Sequence, residues 1–114
     1  MQPETETGKI SISDEMLTAV IADASLSIRG VAAMDESIIN NISVSMIGYD
    51  ITHGHGVRIS RHEGETVLDV YVTVSYGTKI PALAWKLQQR ISCEMEKLTG
   101  EHDPEVNIHV QGVV

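Results

Sequence analysis

The chain has 114 residues, 42% of them hydrophobic, enough for one domain with a core and too apolar for disorder along most of its length. Sixteen acidic residues against eight basic ones leave a formal charge of −8, a field that repels phosphate backbones and anionic lipid headgroups. The single cysteine, Cys93, excludes an intramolecular disulfide and suits a reducing compartment. No apolar run approaches the roughly 20 residues of a membrane-spanning helix.

Met1 to Thr7 is polar and acidic, without the basic-then-apolar order of a signal peptide. It is expected to be a disordered tail ahead of one domain over residues 8–114. Lys9 to Ile12 alternates polar and apolar like a short strand. Ser13 can cap a helix, with Asp14 and Glu15 at the positive end of its dipole. Leu17, Val20, Ile21, Ala24 and Ile28 then form one apolar stripe, and Gly30 is the expected stop. In the next stretch, Ile38, Ile42, Met46 and Tyr49 fit a helical face, although Ile42, Val44 and Met46 also alternate like a strand. The expectation between Val31 and Gly56 is a short amphipathic helix followed by a loop, with Gly54 and Gly56 in a turn.

Val57, Ile59 and Arg61 alternate with Arg58, Ser60 and His62, and Glu63-Gly64 supplies a tight hairpin turn. The return strand is the strongest in the chain, with Leu68, Val70, Val72 and Val74 facing one way and Asp69, Tyr71, Thr73 and Ser75 the other. Gly77 breaks it. Pro81 suits the first turn of a helix whose stripe is Ile80, Leu83, Ala84, Leu87, Ile91, Met95 and Leu98, closed by Gly100. Val106, Ile108 and Val110 make a last strand. The order strand–helix–strand–strand–helix–strand predicts a single α+β domain, a mixed sheet with two main helices on one face. The opposite face would carry Arg58, Ser60, Asp69, Tyr71, Thr73, Asn107 and His109, open to water or to a partner.

Four segments in order resemble the alkaline shock protein family, a group of general-stress and envelope-stress proteins. They are Gly8-Lys9-Ile10-Ser11-Ile12-Ser13-Asp14-Glu15, then Gly30-Val31, then Leu68-Asp69-Val70-Tyr71-Val72 through Tyr76-Gly77 to Ile80-Pro81, and last Val106-Asn107-Ile108-His109-Val110-Gln111-Gly112-Val113. The stretch from Met34 to Gly56 matches only as a variable region. What the resemblance implies is a cytoplasmic, non-enzymatic protein of the envelope stress response. Such a protein self-associates as a homo-oligomer and in some cases is held at the membrane by a separate anchor protein. It carries no catalytic residues and no cofactor over to this chain.

The residues with chemistry support that reading. His53-Gly54-His55, with His62 nearby, is the one metal-like pattern, but two imidazoles on a glycine turn fall short of the four protein ligands of structural zinc. Cys93 lies off the apolar stripe near Lys86, Gln89 and Lys97 without a base to activate it, so it reads as a surface thiol. Trp85 also falls off the stripe. A tryptophan there is either a binding anchor, with Gln89, Ser92 and Glu96 as a polar rim, or a cover for the edge of the core. Tyr71, Thr73 and His109 on the sheet face are the second candidate surface. The alternative reading, a small α+β nucleic-acid-binding domain, has only Arg58, Arg61 and His62 as a basic patch and no phenylalanine to stack bases.

Overall fold

The computed structural model describes residues 4–5, 8–37 and 50–114. At the start, β1 (Glu4–Thr5) pairs antiparallel with β2 (Gly8–Lys9) in a ladder separate from the main sheet. The alternation at Ile10–Ile12 therefore does not continue as a strand, and part of the expected tail is paired. The amphipathic helix expected at Ile38, Ile42, Met46 and Tyr49 lies outside the described residues.

Helix α1 (Asp14–Leu26) starts where the sequence puts it: the Ser13 hydroxyl accepts the Met16 N–H at 3.1 Å, which satisfies one of the orphan donors of the first turn. It ends one turn before Gly30. The Ser27 hydroxyl donates to the Ala24 carbonyl and tight turns through Ile28 carry the chain to Gly30, whose φ of 108° suits only glycine. Strand β3 (Val31–Met34) follows directly, and β4 (Asp50–Gly54) precedes β5 (Val57–His62), so two segments expected to be helix or loop are strands. The β4–β5 turn is His55-Gly56. At Gly56 (φ 79°) a Cβ would lie 3.1–3.2 Å from Met34, Asp35 and the Tyr71 carbonyl, so glycine is required by contact as well as by conformation.

The ten-residue β6 (Glu65–Val74) is the organising strand. Its first half pairs antiparallel with β5 through the Glu63-Gly64 hairpin, and its last residues pair antiparallel with β3 on the same side. Along its other side it pairs in parallel with β7 (Glu105–Val113), which makes the five-stranded sheet mixed, as expected. Helix α2 (Ile80–Thr99) makes the crossover from β6 to β7, with Pro81 in its first turn and Gly100 capping its end in the left-handed conformation, where the Gly100 N–H bonds the Glu96 carbonyl.

Both helices cover one sheet face. Leu68, Val70, Val72 and Val74 of β6 and Val57 and Ile59 of β5 close against Leu17 and Ile21 of α1 and Leu83, Leu87, Ile91 and Met95 of α2. Ile80, placed in the core stripe by spacing, is exposed in the first turn of α2.

A paired outer sheet face and an exposed tryptophan on α2

Alternation along β6 does send Asp69, Tyr71 and Thr73 to the face away from the helices. That face is nonetheless not open at its centre, because Asp69 and Tyr71 are only 6% and 8% exposed. The cause is register. Asn107 and His109 of β7 stand opposite Asp69 and Tyr71, and Arg58 of β5 stands opposite Asp69 from the other side. The Asp69 carboxylate accepts from His109 Nε2 at 2.8 Å and from Arg58 Nη2 at 3.2 Å, with the Asn107 amide at 3.4 Å. The His109 bond requires the proton on Nε2, since a carboxylate only accepts. The His109 ring also stacks on Tyr71, centroids 4.5 Å apart and 12° from parallel. Burial alone would raise the Asp69 pKa; the hydrogen bonds from His109 and Arg58 and the Arg58 charge outweigh it and hold the carboxyl below its ordinary value. Arg58 Nε is buried and without a partner among the described residues.

Of the second candidate surface, then, Tyr71 is sealed under His109, while Thr73 and His109 are half-buried. Tyr71 is thereby withdrawn from contact, which narrows the expected surface to Thr73 and His109. The expected basic patch also comes apart. Arg58 lies on the outer face against Asp69, while Arg61 lies on the helix side. There the Arg61 guanidinium makes a bidentate pair with Asp14 at 3.0 Å and reaches Glu101 and the Thr66 hydroxyl. His53 sits in β4 and His55 in its turn, while His62 closes the far end of β5, and among the described residues no three metal-ligating side chains converge.

The first candidate surface survives as a surface. Helix α2 is unbroken, so Trp85, Gln89, Ser92 and Glu96 follow one another along one strip of about 16 Å. Trp85 is 62% exposed, Gln89 and Glu96 are exposed, Ser92 is half-buried, and Cys93 is a free, exposed thiol beside them. The two candidate surfaces lie on opposite sides of the sheet, so the structure does not bring them together. Sequence reasoning missed a further apolar surface. Tyr76 is 88% exposed at the β6–α2 turn, and the Tyr76 N–H donates to the Val114 carbonyl at 2.7 Å, next to exposed Val113 and Ile80. An aromatic residue between Ser75 and Gly77, in a turn that has no core to face, was the signal.

The profile of the Asp23 family, described as having a cell envelope-related function, matches residues 2–114 (the family's name, not the residue at position 23). The chain belongs to that family. This agrees with the alkaline-shock resemblance and extends it across the region between Met34 and Gly56. Among its relatives are two uncharacterized proteins of Bacillus subtilis. YloU is 33% identical over 96% of this chain and 91% of its own length; YqhY is 29% identical over 96% and 80%. An uncharacterized protein of Streptococcus pyogenes is 28% identical over 96% of this chain and 90% of its own. No solved structure matches. Among the described residues no helix of this Asp23-family chain is long and apolar enough to cross a membrane.

Proposed function

We propose that this chain acts in the envelope stress response as a non-enzymatic interaction module, one that self-associates into a scaffold and is held near the membrane through a partner protein. One observation carries the reading: the only tryptophan of the chain stands 62% exposed on α2, off the core stripe. A fold with its core already closed by Leu83, Leu87, Ile91 and Met95 does not need that indole, whereas an interface does. Gln89, Ser92 and Glu96 supply the polar rim that surrounds such anchors. The family's cell envelope-related function gives the setting. The nucleic-acid reading finds less support, since Arg58 and Arg61 occupy opposite faces and each is paired with carboxylates.

The test is size-exclusion chromatography with light scattering on the full chain and on Trp85→Ala. The expected result is concentration-dependent association that Trp85→Ala weakens by about 2 kcal/mol, roughly thirtyfold, as truncating a hot spot does. The melting temperature should hardly move, because an exposed ring leaves no cavity. A wild-type chain that stays monomeric at high concentration ends the self-association reading.

A further inference from the structure

Half of the eight basic residues in this acidic chain belong to one helix and its cap. They are Lys79 at the N-cap of α2, then Lys86, Arg90 and Lys97 within it, all four exposed. The helix and its cap thus hold four basic and two acidic residues, whereas the rest of the chain holds four basic and fourteen acidic. The four cations are spaced seven, four and seven residues apart. With about 100° and about 1.5 Å per residue, they fall within an arc of roughly 40° and form a row about 27 Å long. The strip of Trp85, Gln89 and Glu96 lies roughly 100° around the helix from this row, so each can be covered without the other.

Helix electrostatics opposes this arrangement. Lys86 and Arg90 stand four residues apart, where like charges repel. Lys79 stands at the positive end of the helix dipole, with no acidic residue in the first turn to offset it. Among the described residues Lys79, Lys86 and Lys97 pair with no carboxylate, and Arg90 has Glu94 at 3.3 Å. Arg58 and Arg61 show the contrast, each held by carboxylates of the fold. In a chain with sixteen carboxylates, a row of cations kept apart from them is a local conflict that folding does not resolve. Such conflicts gather at functional surfaces.

We propose that this row docks a linear acidic segment of another protein, with carboxylates spaced to meet Lys79, Lys86, Arg90 and Lys97. The proposal rests on the interaction-module reading above and gives the partner a chemistry. Shape selects the class. The row is one side chain wide, so a single chain segment covers it end to end. A flat anionic lipid surface would also meet α1, which covers the same side of the sheet with Glu15 and Asp23 exposed and no basic residue. Single-stranded nucleic acid stacks on aromatic side chains set among the cations. The exposed neighbours of this row are instead Ala82 and Cys93, and Trp85 is on the other flank. A net charge of −8 repels an acidic partner over most of the surface, which confines its docking to this row. The spacing of seven, four and seven reads the same in both directions, so a helical segment with glutamates at that spacing fits in either orientation.

The experiment is an NMR titration of the isotope-labelled full chain with a synthetic peptide of about 20 residues, long enough to span the row as a helix. The peptide carries glutamates at the matching spacing in an alanine and glutamine background. Amide shifts should move along α2 from Lys79 to Lys97, and affinity should fall as salt is raised. The same peptide with glutamine in place of glutamate should not bind. Lys86→Glu combined with Lys97→Glu should weaken binding at least tenfold. Its melting temperature should not fall, because Lys86→Glu replaces a repulsive pair with Arg90 by an attractive one. Trp85→Ala, which probes self-association, should leave peptide binding as it is, so the two readings fail separately. A peptide that does not bind, or that binds the double variant as it binds wild type, overturns the proposal. Tighter binding of phosphatidylglycerol vesicles or of a single-stranded oligonucleotide at this row overturns it as well, and assigns the row to lipid or to nucleic acid.

Discussion

Asp69 is a carboxylate in the middle of a five-stranded sheet, and three donors from the two neighbouring strands make its charge tolerable there. Replacement by asparagine keeps the shape but turns one oxygen into an NH₂ group, so two donors face each other across the Arg58 contact. Asp69→Asn is therefore expected to cost about 2–3 kcal/mol at pH 7, somewhat less than the full loss of a buried pair, in a urea titration. The pH dependence follows from the direction of the shift. A carboxyl held below its ordinary value stabilises the fold at any pH above its unfolded pKa of about 3.9, and that contribution drains away as pH falls through the lower folded value. The gap between wild type and Asp69→Asn should thus close as pH falls below about 4. A gap that persists at pH 2 would mean that shape, not charge, is what Asp69 supplies.

Elements whose own pattern matches their burial were legible from the sequence. Leu68, Val70, Val72 and Val74 alternate and are all buried, the Glu63-Gly64 turn closes its hairpin, and Leu83, Leu87, Ile91 and Met95 repeat with the helical period. Val72, fully buried on the central strand, gives the sharpest check. Val72→Asp would leave an unpaired charge among apolar side chains at a cost of several kcal/mol, so the variant should lack a cooperative melting transition. A soluble variant with native-like melting would mean the strand faces the other way. Strands β3 and β4 were not legible, for a tertiary reason. Val31–Met34 is too short to alternate and Asp50–Gly54 is mostly polar; each is a strand because β6 or β5 offers it an edge. At the candidate site the same distinction holds. The exposure of Trp85 follows from helical spacing within one element, whereas the burial of Tyr71 depends on its register with His109, which no local pattern encodes.

At the scale of the molecule, Arg61 joins three regions distant in sequence: the first turn of α1 through Asp14, the end of β5 that carries it, and the connection from α2 to β7 through Glu101. The hydrogen bond with Asp14 leads in raising its own pKa against the effect of burial, so it stays charged at any accessible pH. For Glu101, burial alone would raise the pKa; the Thr66 hydroxyl and the Arg61 guanidinium outweigh it and hold the carboxyl below its usual range. In the wild type this contribution is present above an unfolded value of about 4.3 and is lost as pH falls through the folded one. Arg61→Met reverses the sign. The aliphatic chain still packs, but Glu101 keeps its burial and loses its cation, with the Asp14 carboxylate nearby, so its folded pKa should rise above the unfolded value. A group raised in this way destabilises the fold when ionised and ceases to do so as it takes up a proton. The variant is expected to lose about 2 kcal/mol at pH 7, below the figure for a fully buried pair because these side chains remain partly solvated. It should then recover much of that loss as pH falls from 7 towards 4.5, a window in which the wild-type contribution does not change. Urea midpoints for the two proteins across that window measure it directly. A deficit that stays constant down to pH 4.5 would show that Arg61 acts by packing alone and that the carboxylates at this end of the sheet are held by something else.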